Sequence, residues 1–210
     1  GALPHESQGK RTDLSGLYQM IKDGADTYDI LETCPEFVRD IDNIERTRQV
    51  ILEKKFRNTF RNLEVTYVFG ATGVGKTRQV MEQYGYDKCY RITDYAHPFD
   101  GYKGQDVIIF EEFRNSLKCS DMLVYLDGYP VELPCRYANK QACFTKVYII
   151  SNWTLEAQYP QIQADTPMTY QAWLRRIHKV RVFSDNGTYT DSSVSDYFKF
   201  KPISKWVDES

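Results

Sequence analysis

The sequence lacks the features of several large protein classes. Its five cysteines are odd in number and form no CxxC pair, which argues against a disulfide framework or a zinc knuckle and favours a reducing compartment. No apolar run approaches the roughly 20 residues that a membrane-spanning helix needs, so we expect no membrane partner. A net charge of only −2 excludes a uniformly basic surface, and a hydrophobic share of 41% excludes a disordered chain.

The charge is distributed in blocks along the chain. Eight basic and three acidic side chains lie in residues 45–78, five basic and ten acidic in residues 82–132, and seven basic and three acidic in residues 171–205. A chain divided in this way can offer one face to nucleic acid and another to a metal ion.

Composition divides the 210 residues into three parts. Residues 1–11 are polar and carry Gly, Pro and Ser, which predicts a linker. Residues 12–62 have apolar side chains at helical spacing and predict a small all-helical module. Residues 63–210 alternate helical stretches with short apolar runs, which predicts an α/β domain on a parallel sheet. The runs stand at residues 65–69, 89–92, 106–110, 147–150 and 180–183.

A phosphate-binding loop is the most specific motif. The pattern GxxxxGK[ST] follows the first predicted strand and precedes a predicted helix; it consists of Gly70, Ala71, Thr72, Gly73, Val74, Gly75, Lys76 and Thr77. Its glycines let backbone amides surround phosphate oxygens, and the helix directs its positive end to the same place. We expect Lys76 to reach the β- and γ-phosphates of ATP and the Thr77 hydroxyl to bind Mg²⁺.

An acidic pair and an asparagine complete the predicted catalytic set. Glu111 and Glu112 stand at the carboxyl end of the third predicted strand, where α/β sheets bind their ligands. We assign Glu111 to the metal and Glu112 to the attacking water. Asn152 follows the fourth strand and is expected to hydrogen-bond the γ-phosphate or that water, although an asparagine there is also common in a plain turn.

These motifs together resemble superfamily 3 helicases, and more narrowly the Rep initiator proteins of circular single-stranded DNA viruses, such as circoviruses, and of related plasmids. The resemblance is carried by residues 9–14, 100–102, 107–113, 149–152 and 174–177. It implies an AAA+-like ATPase that uses ATP and Mg²⁺ and forms a homo-oligomeric ring, expected to be a hexamer, on single-stranded DNA. The helical module would be the oligomerisation domain, and residues 63–210 the helicase domain.

The resemblance also implies roles outside the ATP site. An arginine finger for the neighbouring subunit is expected at Arg175 or Arg176, and the choice between them stays open. A pore hairpin is expected within residues 131–150, with DNA contacts near its tip from Arg136, Tyr137, Asn139 and Lys140.

Full-length Rep proteins begin with a nicking domain that holds a His-hydrophobe-His motif. The three histidines of this chain do not form one, so we expect the helicase part of a longer protein, without nicking activity. Three alternatives stay open: an RNA-virus-type superfamily 3 helicase, a P-loop kinase for a small molecule, and an ATP-dependent assembly platform with negligible turnover. The expected location is the host nucleus for a eukaryotic virus or the cytoplasm for a plasmid.

Overall fold

A computed structural model describes the backbone of residues 6–199 and the side chains of residues 13–199. The chain forms two compact units, Gly1–Asn58 and Thr59–Ser210. The sequence places the same division between residues 62 and 63, four residues further along the chain.

The first unit is helical, as its apolar spacing predicts. In its described part it contains α1 (Glu6–Lys22), α2 (Thr27–Thr33), a 3-10 segment (Pro35–Asp40) and α3 (Ile41–Phe56). The carboxylate of Asp26 caps α2 by accepting a hydrogen bond from the backbone amide of Asp29. The core of the unit consists of buried side chains from all of these segments: Leu17, Ile21, Ile30, Phe37 and Ile44.

Helix α1 begins inside the segment predicted as a linker. Residues 1–5 of that segment lie outside the described residues, whereas residues 6–11 are helical. Four of these six residues are Glu, Gln, Lys and Arg, which have high helix propensity, and Gly9 alone lowers it strongly. The polar composition of residues 6–11 is therefore compatible with a helix, and the linker predicted for them from composition is helical.

The second unit is built on a sheet in the order β2-β3-β6-β1-β7-β8. The first five of these strands are parallel to their neighbours, whereas β8 is antiparallel to β7. A separate antiparallel hairpin joins β4 to β5. The strands are β1 (Glu64–Phe69), β2 (Cys89–Ile92), β3 (Val107–Phe110), β4 (Glu132–Leu133), β5 (Lys140–Gln141), β6 (Lys146–Ser151), β7 (Lys179–Phe183) and β8 (Tyr189–Ser192).

Helices cover both faces of this sheet. They are α4 (Lys76–Tyr84), α5 (Cys119–Tyr125), α6 (Pro160–Asp165), α7 (Pro167–Leu174) and α8 (Val194–Lys199). Val68 of β1 lies in one buried cluster with Val80 of α4, whereas the ring of Tyr67 packs edge-on against Trp173 of α7. Because neighbouring residues of a strand face opposite sides, α4 and α7 cover opposite faces. The predicted AAA+-like P-loop fold is thereby confirmed.

The hairpin is shorter than the sequence predicts. It ends at Gln141, and residues 146–151 form the central strand β6, which pairs with both β1 and β3. The run from Val147 to Ile150 is fully buried, as expected of a strand covered on both faces. The second half of the predicted hairpin therefore belongs to the main sheet.

Candidate functional site

The phosphate loop follows the carboxyl end of β1 and joins this strand to α4. Gly73 and Gly75 have φ angles of 87° and 91°, a left-handed conformation that favours glycine. At Gly70 a Cβ atom would lie 2.7 Å from the Cβ of Phe183, so only glycine lets the loop pass this close to β7. The backbone has the form that a phosphate cradle needs.

Lys76 places a buried cation at the first turn of α4. Its Nζ donates hydrogen bonds to the carbonyl oxygens of Gly70 and Ala71 at 2.8 and 2.6 Å. Burial lowers the pKa of its ammonium, and the carboxylates of Glu112 and Glu111 oppose this shift. A cation beside the positive end of a helix fits an anionic phosphate group.

Glu111 lies against the phosphate loop. Its Oε2 accepts a hydrogen bond from the Thr77 hydroxyl at 2.8 Å, and its Oε1 accepts one from Arg91 Nε at 2.7 Å. Hydroxyl and carboxylate oxygens are the ligands that Mg²⁺ prefers, so Thr77 and Glu111 fit this ion. No group of three or more His, Cys, Asp or Glu that could hold a metal is found in residues 6–199. The other ligands of Mg²⁺ would be phosphate oxygens and water.

Arg114 brings Glu112 and Asn152 together. Its Nε donates to Asn152 Oδ1 at 3.0 Å, and its Nη2 lies 3.5 Å from Glu112 Oε2. The backbone φ of Glu112 is 46°, which is uncommon for a residue with a side chain and often marks a functional site. The side chain of Glu112 is 54% exposed, so solvent water can reach this carboxylate.

The two candidate finger arginines differ in their contacts. Arg176 donates to Asp127 Oδ2 at 2.8 Å and to the carbonyl of Ala172 at 2.9 Å. Arg175 is exposed, and its guanidinium has no hydrogen bond or ion pair within the described chain. Both precede β7 and lie near the amino end of β1, because the His178 amide bonds the Val65 carbonyl. They therefore lie at the amino ends of the parallel strands, whereas the phosphate loop of the same chain lies at the carboxyl ends.

The predicted DNA contacts lie on the β4–β5 hairpin. Tyr137 is 96% exposed. Arg136 and Lys140 are not free cations, because both bind Asp100: Arg136 through its carboxylate and Lys140 through its carbonyl oxygen at 2.6 Å. Asn139 accepts a weak hydrogen bond from the Cys135 amide at 3.4 Å. Both cations near the predicted tip therefore contact a neighbouring loop, and their contacts with DNA stay a prediction.

Sequence comparison finds one family model and several relatives that are similar to the chain. The family model described as RNA helicase matches residues 66–152, which contain the phosphate loop, the acidic pair and Asn152. The Replication-associated protein of Canary circovirus is 30% identical over 196 residues, covering 93% of this chain and 63% of that protein. That of Goose circovirus is 27% identical over 183 residues, covering 86% and 58%. The chain is thus similar to Rep proteins, and the family model supports a superfamily 3 helicase domain.

The match leaves part of each Rep relative uncovered, since this chain spans 63% and 58% of their lengths. Among solved structures, the S. cerevisiae Hsp104–ADP complex aligns with a TM-score of 0.43 and 18% identity, covering 87% of this chain and 31% of that chain. The order of the parallel strands and the phosphate loop after β1 define the fold. Within the described residues, no helix has both the length and the apolar character to span a bilayer.

Three residues at the site were not predicted from the sequence to be site residues. Arg91, Asp100 and Arg114 each bind a predicted site residue, but none of them belongs to the phosphate loop or to the acidic pair. Only the position of Asp100 in an acidic-Gly-Tyr triplet marked its surroundings as part of the Rep resemblance. Its contact with the hairpin depends on the tertiary fold.

Proposed function

We propose that this chain is the motor part of a replication initiator. It hydrolyses ATP between the subunits of a homo-oligomeric ring, expected to be a hexamer, and moves along single-stranded DNA. The observation that carries the proposal is the cluster of Lys76, Thr77 and Glu111 at the carboxyl edge of the sheet. The circovirus relatives support a role in viral replication. The expected location stays the host nucleus for a eukaryotic virus or the cytoplasm for a plasmid.

The residues divide the chemistry as follows. Thr77 and Glu111 would hold Mg²⁺, which neutralises charge on the β- and γ-phosphates. Lys76 binds the same phosphates, and Glu112 orients a water molecule and accepts its proton. Asn152 hydrogen-bonds the water or the γ-phosphate. Arg175 reaches the γ-phosphate held by a neighbouring subunit. It precedes β7 at the amino ends of the strands, whereas its own phosphate loop lies at the carboxyl ends.

A second candidate is the RNA-virus-type helicase of the same superfamily. The description of the matching family model favours it. A single-stranded RNA of the same base sequence therefore belongs in the same assay as the DNA.

ATP turnover with and without each strand tests the proposal. We expect single-stranded DNA to stimulate the wild-type chain, and Lys76→Ala or Glu112→Gln to lower turnover about 100-fold or more. Asp165→Asn on α6, an exposed position bonded only to Gln161, is a control that should match the wild type. Wild-type turnover by Lys76→Ala would show that the site is wrong, and stimulation by RNA alone would favour the second candidate.

A further inference from the structure

The end of β2 and the beginning of its connection to β3 contact Glu111. Arg91 Nε donates to the Glu111 carboxylate at 2.7 Å, and the Tyr95 hydroxyl donates to the Glu111 carbonyl at 2.6 Å. The ring of Tyr95 also packs edge-on against Phe113, two residues after Glu111. This part of the connection is thus tied to both the side chain and the backbone of the predicted metal ligand.

The end of the same connection holds the hairpin. Asp100 accepts hydrogen bonds from the backbone amide of Arg136 at 3.1 Å and from Arg136 Nε, and its carbonyl accepts one from Lys140 Nζ at 2.6 Å. Cys135 Sγ lies 3.4 Å from the carbonyl of Phe99. The hydrogen bonds from Arg136 hold the pKa of the Asp100 carboxyl below its usual range, so this carboxylate is charged at neutral pH.

Packing within the connection is concentrated around Phe99, since the side chains of Thr93, Asp94, Ala96 and His97 are exposed. Phe99 is fully buried, and its ring lies edge-on to Tyr125 with 4.9 Å between centroids. The Tyr90 hydroxyl donates to the Pro98 carbonyl at 2.9 Å and accepts from the Gly101 amide at 3.3 Å. Tyr90 of β2, next to Arg91, thus holds the backbone on both sides of Phe99, which gives a route of direct contacts from Glu111 to Asp100.

We propose that residues 91–102, called here the coupling segment, link the nucleotide site to the DNA-binding hairpin, with Asp100 as the residue that positions Arg136. This inference rests on the proposed function. A change at Glu111 as nucleotide binds or leaves moves Arg91 and Tyr95, and the segment passes the change to Asp100 and the hairpin.

The geometry of Arg136 explains how Asp100 orients it. The Asp100 carboxylate accepts hydrogen bonds from Nε and the backbone amide of Arg136. The two terminal nitrogens of the Arg136 guanidinium have no partner within the described residues. The Arg136 side chain is 57% exposed. The terminal nitrogens of a guanidinium bind a phosphate group as a fork, so Asp100 fixes the direction in which that fork meets DNA.

The affinity for single-stranded DNA with and without nucleotide measures this link. The ratio of the two dissociation constants, taken with a non-hydrolysable ATP analogue and without nucleotide, is the coupling between the sites. We expect a ratio of about fivefold or more in the wild type. Asp100→Asn should bring the ratio close to one, and Tyr95→Phe, which removes only the hydroxyl, should lower it as well. Asp165→Asn should keep the wild-type ratio.

The two variants separate coupling from local effects. Since Tyr95 is remote from the hairpin contacts of Asp100, a loss of coupling in Asp100→Asn alone would overturn the link and leave only a local effect on DNA binding. An unchanged ratio in both variants would overturn the link while leaving the proposed function intact. A wild-type ratio of one would overturn the link and also contradict the proposed nucleotide-driven movement on DNA. If Asp100→Asn does not fold, Tyr95→Phe decides, because phenylalanine keeps the ring packing.

Discussion

The Thr77 hydroxyl donates a hydrogen bond to the Glu111 carboxylate across 2.8 Å, although the two residues are 34 positions apart in the sequence. Strand β1 precedes the phosphate loop, β3 precedes the acidic pair, and β6 lies between these two strands. Because the three strands are parallel, the loop and the acidic pair lie at the same end of the sheet. The contact pairs a hydroxyl with a carboxylate, the donor set that suits Mg²⁺. The bond therefore links the phosphate loop to the predicted metal ligand Glu111.

Thr77→Ala should raise the Mg²⁺ concentration needed for half-maximal ATP turnover by about tenfold, since a lost ligand interaction worth roughly 1.4 kcal/mol changes affinity by that factor. Thr77→Ser keeps a hydroxyl at the same position and should retain the wild-type curve. Magnesium titrations of turnover at saturating ATP distinguish the two variants. Coincident curves for Ala and Ser would show that the hydroxyl does not contact the ion.

Arg175→Ala and Arg176→Ala should affect different properties. Because the guanidinium of Arg175 has no partner within the described chain, its removal should leave the free energy of unfolding unchanged and lower turnover by about 10³-fold. Arg176→Ala removes the bond to Asp127 and should lower the free energy of unfolding by roughly 1–3 kcal/mol. Urea unfolding and ATP turnover, measured on both variants, test this division.

A mixture of Lys76→Ala and Arg175→Ala chains should recover part of the lost turnover. In a mixed ring some interfaces combine an intact phosphate loop from one chain with an intact arginine from the next. Recovery requires that the arginine acts between subunits, so a mixture as inactive as its components would contradict the proposed finger.

The sequence predicts the buried sheet well because its strands leave a local signal. Every residue of Val107–Phe110 is buried, and such a strand appears as a continuous apolar run. Strand β8 (Tyr189–Ser192) was not predicted, because it is an exposed edge strand of polar residues held only by β7. The phosphate loop could be predicted because its function needs fixed spacing within eight residues. The roles of Arg91, Asp100 and Arg114 depend on partners that only the fold brings near.

Tyr137→Ala should weaken binding of single-stranded DNA by about 1–3 kcal/mol, which is the usual contribution of one aromatic ring stacked on a base. Its side chain is 96% exposed, so its removal should not change stability. The dependence of the affinity on salt concentration should stay the same, because no cation is lost. Tyr137→Phe should bind like the wild type, and Tyr86→Ala, at a side chain 64% exposed outside the hairpin, is the matched control. Equal affinities for Tyr137→Ala and the wild type would exclude stacking.

Asp191→Asn should destabilise the second unit in a pH-dependent way. Asp191 accepts two hydrogen bonds from buried Arg181, at 2.7 and 2.8 Å, and the bond to Arg181 together with the charge of Lys179 lowers the pKa of its carboxyl. The carboxyl therefore has a lower pKa in the folded than in the unfolded chain, whose ordinary value is 3.8. Its stabilising contribution is fully present above the unfolded pKa and disappears as the pH falls through the folded pKa.

The free energy of unfolding of Asp191→Asn should thus lie about 1–3 kcal/mol below that of the wild type at neutral pH, and this gap should narrow only at pH values below about 4. Urea unfolding at several pH values measures the gap. Asparagine does not titrate, so the narrowing reports the carboxyl of Asp191 alone. Asp165→Asn, at an exposed carboxyl without a basic partner, should show no gap at any pH. A gap that stays constant down to strongly acidic pH would mean that packing around Arg181 and Tyr189, rather than the charge of Asp191, stabilises this edge of the sheet.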